Sequence, residues 1–329
     1  MLEELGYSGL KERTRRIPEI HHDQVLVRMR AASLNYRDLK ILTGKYARQP
    51  KLPLVPLSDG AGEVVDVGMN AKRFKHGDRV MPIYMEGWYT GPMSVGRDGW
   101  KGRGGDFDGT ATEYALHHEA DILAIPDSLS YEQAACLPCA AVTAWHALVF
   151  AGRVKAGDTV LVMGSGGVSI FALQFAKISG ARVIATSSDD AKLSRLIDLG
   201  AAHGINYKKT PDWEEKVRDL TNGRGVDHVI EVGGTRTIRQ SIRATRDNGH
   251  VETIGDLTGG FASSELAERG IQMIPIVVGS REMTQDMLRA IDLHQVKPVI
   301  DTRFAFGDLK LALRHLESGK HFGKIAITF

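Results

Sequence analysis

The chain has 329 residues, 43% hydrophobic and 25% charged, a globular composition with enough length for two cores. Lys and Arg number 42 against 40 Asp and Glu, and a net charge of +2 with both signs interspersed argues against nucleic acid as a partner. Two cysteines make no disulfide framework and no apolar run reaches bilayer length, so a cytoplasmic protein without a membrane partner is expected.

The first third reads as β structure. Residues 24–32 alternate, with Val25, Val27 and Met29 on one face of a half-buried strand. GAGEVVDVG (60–68) is a strand bracketed by glycines, and 76–81 is a turn running into another strand. Residues 86–108, glycine-rich with Trp88 and Trp100, read as a long loop. After about Tyr131 the period changes. Ser130 and Gln133 have the spacing of a capping box, which predicts a helix. From Asp158 onward strand and helix alternate: strand 159–163, helix 168–179, strand 182–186, helix 189–199. Thr210-Pro211-Asp212 predicts a further helix with Thr210 as cap, Pro211 in the first turn, and Asp212, Glu214 and Glu215 at its positive end. Strands follow at 226–231, 251–254 and 274–278, then a helix near 307–318 and a closing strand at 324–329 that returns to the first domain. This alternation predicts a parallel, doubly wound sheet.

VLVMGSGGVS (160–169) follows a strand and opens a helix, the context that gives a glycine pattern weight. Gly164 allows the tight turn, and Gly166 lets the backbone approach a pyrophosphate. Ser165, Gly167 and Val168 bring the helix N-terminus and its amides to that group. Ser169 stands where the third glycine usually does. An NAD site usually places a carboxylate at the end of the second strand. Here that strand ends in Thr186, Ser187 and Ser188, with Lys192 and Tyr207 nearby. These groups suit a 2′-phosphate, so NADPH is favoured over NADH, although Lys192 also fits an exposed helix lysine.

With that fingerprint placed, the chain resembles the medium-chain dehydrogenase/reductase superfamily, and within it the zinc-independent, quinone-oxidoreductase-like branch. The landmarks are AASLNYRDLKILTGKY (31–46), PLVPLSDGAGEVVDVG (53–68), GDRV (77–80), LPCAAVTAWHAL (137–148), GSGGVS (164–169), GVDHVIEVGG (225–234) and HFGKI (321–325). The resemblance implies an α/β fold in two parts. A GroES-like β-rich catalytic domain takes 1–128 and 297–329, and a Rossmann domain with a doubly wound parallel sheet takes 129–296. It implies Tyr46 as proton donor, with a half-buried packing role as the plainer reading, and Asn35 and Tyr36 as orienting groups. Thr143, Gly233, Ile254, Gly255, Gly279 and Gly323 would line the cofactor. Homodimers would pair through the Rossmann edge strand, here 273–278. The family's usual first strand would precede Val25.

Zinc-dependent relatives supply a Cys, a His-Glu pair and a later Cys as metal ligands. The resemblance puts Asn35, Ser58-Asp59 and Cys139 at those positions, short of the three ligands a catalytic zinc needs. Residues 86–108 carry no cysteine for a structural zinc, so no metal is expected. Cys136-Leu137-Pro138-Cys139 matches a dithiol motif but interrupts a helical stretch, and metal-free hydride chemistry is preferred. His21, His22, His117 and His118 read as surface or loop residues. Without a metal to stabilise an alkoxide, an already polarised acceptor is the easier substrate. The expected function is NADPH-dependent reduction of a quinone or an α,β-unsaturated carbonyl. An alcohol dehydrogenase or carbonyl reductase, and a dinucleotide-binding protein without catalysis, are the alternatives.

Overall fold

The computed structural model describes residues 1–93, 101–255 and 264–329. Trp100 and part of the expected loop at 86–108 lie outside the described residues. Thirteen strands run through the described residues: β1 (Gln24–Ser33), β2 (Asp59–Val67), β3 (Arg79–Pro82), β4 (Tyr114–His118), β5 (Ile122–Ala124), β6 (Thr159–Met163), β7 (Arg182–Ser187), β8 (His203–Asn206), β9 (Val226–Glu231), β10 (Thr245–Thr253), β11 (Gln272–Pro275), β12 (Ile300–Ala305) and β13 (Lys324–Thr328). They fall into two compact units, Met1–Val142 with Gly279–Phe329, and Thr143–Val278.

The first unit is built on a sheet of order β12-β13-β1-β2-β3-β5, with β4 also on β1. Its long central strand β1 pairs antiparallel with β2 along its length. On its other edge β4 takes the first half and β13 the second. The alternation read in 24–32 places Val25, Val27 and Met29 in a core with Val64, Val80, Ala115 and Ile122. The closing strand returns to this sheet as expected, because Ile325 and Ile327 complete a second core with Leu34, Ile41 and Leu313.

The second unit carries the order β11-β10-β9-β6-β7-β8, with every neighbouring pair parallel. This is the doubly wound order, and its direction reverses between β6 and β9. Leu161, Ile184, Val229 and Val251 meet Trp213 and Val217 in the core on one face.

The capping box forms: Ser130 Oγ accepts from the Gln133 amide (3.2 Å), and the Ser130 amide donates to Gln133 Oε1 (3.0 Å). The helix expected from Thr210 starts later, at Trp213, with Asp212 as its N-cap. Trp213 and Val217 are its buried anchors, and the helix begins where that apolar spacing begins. The strand expected at 274–278 is β11, which runs Gln272–Pro275 and ends level with Thr253, where its partner β10 ends. The units divide at 142/143 and 278/279, whereas the expected boundaries are 128/129 and 296/297. The difference comes from two helices whose period matches the alternating half while their contacts lie with the β-rich half. Ala135, ending Tyr131–Ala135, accepts from Ser33 Oγ on β1 (2.8 Å). The helix Arg281–Leu293 donates from its first two amides to the carbonyls of Trp88 and Tyr89, and its Asp292 accepts from Ser128 Oγ (2.7 Å).

Candidate active site

In the second unit, β6 is buried along its whole length and delivers the chain into Gly164, whose φ is +74°. A left-handed residue there favours glycine. The Gly164 amide donates to Thr186 O (2.8 Å), tying the turn to the end of β7. Gly166 is the N-cap of the helix Gly167–Ile178, and a Cβ on Gly164 or Gly166 would meet nothing within 4 Å. Open space above two glycines at a helix N-terminus fits a bound diphosphate. Ser169 does more than replace the third glycine: its hydroxyl donates to Met163 O (2.6 Å) and clamps the helix to the strand it follows.

The parallel register brings other expected cofactor residues to the same edge of this sheet. Gly164 follows β6, Ser187 ends β7, Gly233 follows β9, and Ile254 and Gly255 follow β10. Sequence reading missed the residue that organises this edge, Glu231, which is fully buried. Its Oε1 accepts from the amides of Gly233 (2.6 Å) and Gly234 (2.9 Å) and from Thr237 Oγ1 (2.8 Å), and its Oε2 from Ser241 Oγ. Its carbonyl accepts from the amides of Ile254 and Gly255, both at 2.8 Å. One carboxylate thus shapes both loops, and a lone acidic residue at a strand end gives little hint of that in the sequence.

Ser187 is buried and its hydroxyl accepts from the Asp189 amide (3.3 Å), so it serves the local turn. Asp189, the first carboxylate past this strand, caps its own helix by accepting from the Lys192 amide (3.1 Å). Asp190 is engaged by Asn206 Nδ2 (2.6 Å) and Lys209 Nζ (2.5 Å). Tyr207 is exposed, Ser188 and Lys192 are half-buried, and Thr143 is buried at the start of this unit.

In the first unit, Asn35, Ser58, Asp59 and Cys139 meet around a buried ammonium group. Lys324, 3% exposed, donates from Nζ to Asn35 Oδ1 and to Leu34 O, both at 2.6 Å, and lies 3.8 Å from Asp59 Oδ2. Asn35 Nδ2 donates to Ser58 Oγ (3.4 Å), Ser58 Oγ to Asp59 Oδ1 (2.7 Å), and the Cys139 amide to Asp59 Oδ2 (3.2 Å). These are the positions where the resemblance would put zinc ligands. The donor set is an amide, a carboxylate and a buried thiol, with a cation already among them, and it does not fit a catalytic zinc. Leu57, just before Ser58, holds φ at +70°, a strained value for a leucine. The carbonyl and backbone of Leu57 pack against Gly104 and Gly109, where any Cβ would collide with them.

Burial pushes the Cys136 thiol up to about 12 and the Cys139 thiol higher still. Thiols held protonated are poor nucleophiles, which argues against dithiol chemistry at the C-x-x-C spacing.

Tyr46 is half-buried against the core, and the Arg37 guanidinium lies 5.2 Å from its ring and 4.9 Å from that of Tyr84. Arg37 Nη1 donates to Arg103 O (2.9 Å), while its Nε and Nη2 have no partner. Burial raises the Tyr84 hydroxyl well above its ordinary range, and a hydrogen bond with Tyr46 adds to the shift. Burial likewise pushes Asp38 up to about 6, against the pull of Arg37 and of the Asn35 amide that donates to it (2.8 Å). Tyr36 does not join this group; it is 69% exposed. Gly323 has φ +85° and turns the chain into β13, where a Cβ would strike Val299 O, and Gly279 packs tightly on Val142. Sequence reading missed Lys324, Arg37 and Tyr84, although NYRD and HFGKI contain the first two, because nothing local marks a basic residue as buried.

Comparison with known proteins agrees with the two-part fold. The model of the alcohol dehydrogenase GroES-like domain matches residues 21–127, and that of zinc-binding dehydrogenases matches 167–292. A zinc-type alcohol dehydrogenase-like protein of Schizosaccharomyces pombe is 40% identical, the match covering 98% of this chain and 96% of that protein. The 2-methylene-furan-3-one reductase of Solanum lycopersicum is 33% identical over 94% of this chain and 73% of its own length. A crystal structure of an NAD-dependent alcohol dehydrogenase superposes with a TM-score of 0.90 at 31% identity, covering 100% of this chain and 98% of that one.

Proposed function

The chain belongs to the medium-chain dehydrogenase/reductase superfamily and is an oxidoreductase, and on that premise we propose that it reduces a quinone or an α,β-unsaturated carbonyl with NADPH, without a metal. The observation that carries this reading is the Lys324 ammonium among Asn35, Asp59 and Cys139. With those positions filled by an amide, a carboxylate and a buried cation, the alkoxide of a simple alcohol has no Lewis acid to stabilise it. A conjugated acceptor needs less, since the charge left by hydride addition at carbon spreads onto its oxygen.

When bound, the dinucleotide supplies that hydride. Tyr46 donates the hydroxyl proton to the enolate or hydroquinone anion and regains one from water, and the Arg37 guanidinium against its ring positions it. Asn35 and Asp59, held by Lys324, keep the floor of the site polar and ordered. Ser188 and Lys192 favour the 2′-phosphate, because Asp189 is committed to its helix cap and Asp190 is neutralised by Lys209. Catalysis is assigned to 1–128 and 297–329, and cofactor binding to 129–296. A homodimer through the open edge of β11 is part of the proposal, with light scattering of a Met273→Glu variant as its check.

The test is NADPH consumption by chelator-treated protein offered a quinone, an enone and the matching saturated ketone, with NADH in parallel. Turnover of the enone or quinone alone, lowered about 10²- to 10⁴-fold in Tyr46→Phe, is the expected result. Turnover of the ketone with no turnover of the enone would favour the second reading, an alcohol dehydrogenase or carbonyl reductase, which the likeness to the NAD-dependent alcohol dehydrogenase supports. Binding of dinucleotide with no turnover on any acceptor would point to a non-catalytic protein.

A further inference from the structure

Away from the active-site residues, the second unit gathers His228, His250 and Glu252, each offering one ligand atom, all within 4.8 Å of one another. The register explains the meeting. β9 and β10 are parallel neighbours with His228 opposite His250, and Glu252 lies two residues further along β10. Side chains two apart on a strand share a face, so all three stand on the same side of the sheet.

Two buried atoms of the cluster lack partners. Glu252 is fully buried; its Oε1 lies 2.8 Å from His228 Nδ1, but its Oε2 has no hydrogen-bond partner. His250 is half-exposed, yet its Nδ1 is a buried atom, also without a partner. The two imidazole rings stand 5.2 Å apart, inclined by 65°. Behind them, Asp158 Oδ2 lies 3.4 Å from His228 Nε2. A buried carboxylate oxygen and a buried imidazole nitrogen left unpaired are each destabilising. A cation on this face would engage both.

We infer that His228, His250 and Glu252 bind a divalent transition metal of the zinc class, with Asp158 as the outer partner that orients His228. Two imidazoles and one carboxylate suit zinc, cobalt or nickel and are poor ligands for magnesium or calcium. A carboxylate behind a ligating histidine fixes its tautomer, leaving Nδ1 for the metal and Nε2–H for Asp158. Metal–ligand distances near 2.0–2.2 Å require ligand atoms within about 4 Å of each other. Rotation of the half-exposed His250 ring supplies most of that contraction, and its exposed side admits the ion and a water as fourth ligand. Asn35, Ser58, Asp59 and Cys139, whose donor set does not fit zinc, lie in the other unit. His228 and His250 stand 22 residues apart in sequence, and only the parallel pairing of β9 with β10 brings them together. Such a metal would tie two central strands and is distinct from hydride chemistry.

The test is titration of the full-length, chelator-treated protein with Co²⁺, followed by visible absorption, and with Zn²⁺, followed by calorimetry. The expected result is one equivalent bound with micromolar or tighter affinity, and a thermal midpoint that rises with Zn²⁺. His250→Ala, at a half-exposed position that leaves the core intact, weakens binding at least 100-fold, and Glu252→Gln weakens it as well. Cys139→Ser leaves binding unchanged. The inference is overturned by the absence of stoichiometric binding, by binding that survives His250→Ala, or by a thiolate-to-cobalt charge-transfer band, which would move the ion to the cysteines.

Discussion

Asp38 and Asp227 are both buried carboxylates beside arginine, and their carboxyls move in opposite directions. At Asp227 burial works to raise the carboxyl, but Arg224 (2.7 and 3.0 Å), the Thr159 amide (2.8 Å) and Arg246 Nε (2.5 Å) outweigh it and hold the group well below the carboxylate range. At Asp38 burial prevails and lifts the group to about 6, since it has one amide at 2.8 Å and the Arg37 guanidinium at 3.4 Å. The number and closeness of donors, more than the presence of an arginine, decide the sign. The contrast extends around each group. In the second unit both oxygens of Glu231 are filled by donors from neighbouring loops. Beside Asp38, two nitrogens of Arg37 lack partners, and elsewhere in the first unit so do Arg103 Nε and both ring nitrogens of His117. The carboxylate of Glu231 fixes loops in the second unit, whereas the guanidinium beside Asp38 is left incompletely satisfied near Tyr46.

The largest expected effect breaks the well-satisfied side. Asp227→Asn leaves two arginines without their carboxylate and should cost about 3–5 kcal/mol of stability in urea denaturation. Because the folded carboxyl sits below its unfolded value near 4, its contribution is complete above about pH 4 and drains away as acid titrates the folded group. A loss under about 1 kcal/mol would remove the contrast. Lys324→Met should cost about 3 kcal/mol by the same measurement, since it strands Asp59 in the other unit. Loss of activity without loss of stability would instead make Lys324 a group that touches substrate.

Asp38 sharpens the comparison through pH. Its folded carboxyl is raised, so its stabilising contribution is full below about pH 4 and lost as pH rises through about 6. Relative to wild type, Asp38→Asn should gain about 2–3 kcal/mol between pH 4 and pH 7. A difference that stays flat with pH would place Asp38 with the well-satisfied group. The smallest effect concerns the cofactor: Lys192→Ala should raise the KM for NADPH about tenfold, roughly 1.4 kcal/mol, and leave that for NADH unchanged. Equal changes for both would mean that Lys192 is a helix-surface lysine.

Much of the second unit was legible from local pattern. The limits of β6 and β9 match the reading, and the glycine turn lies where its motif puts it, because apolar runs and positive-φ glycines are properties of short segments. The short strands β4, β5, β8 and β12 were not read, since three to six residues with mixed burial carry little periodicity. Tyr36 was read with Asn35 as a site residue, but adjacent residues at a helix start diverge, and only Asn35 is buried.

The sequence by itself determined the α/β alternation and the dinucleotide turn, because each follows from residue identity and local spacing, and the family resemblance added the replacement of zinc-ligand types at Asn35, Ser58 and Asp59. Only the tertiary structure decided which charges are buried and what faces them. Lys324 reaches Asn35 across 289 positions of chain, and His228 meets His250 through strand pairing. Long-range pairing sets burial, and burial sets the charge state and reach of a side chain; neither is written in the neighbouring residues.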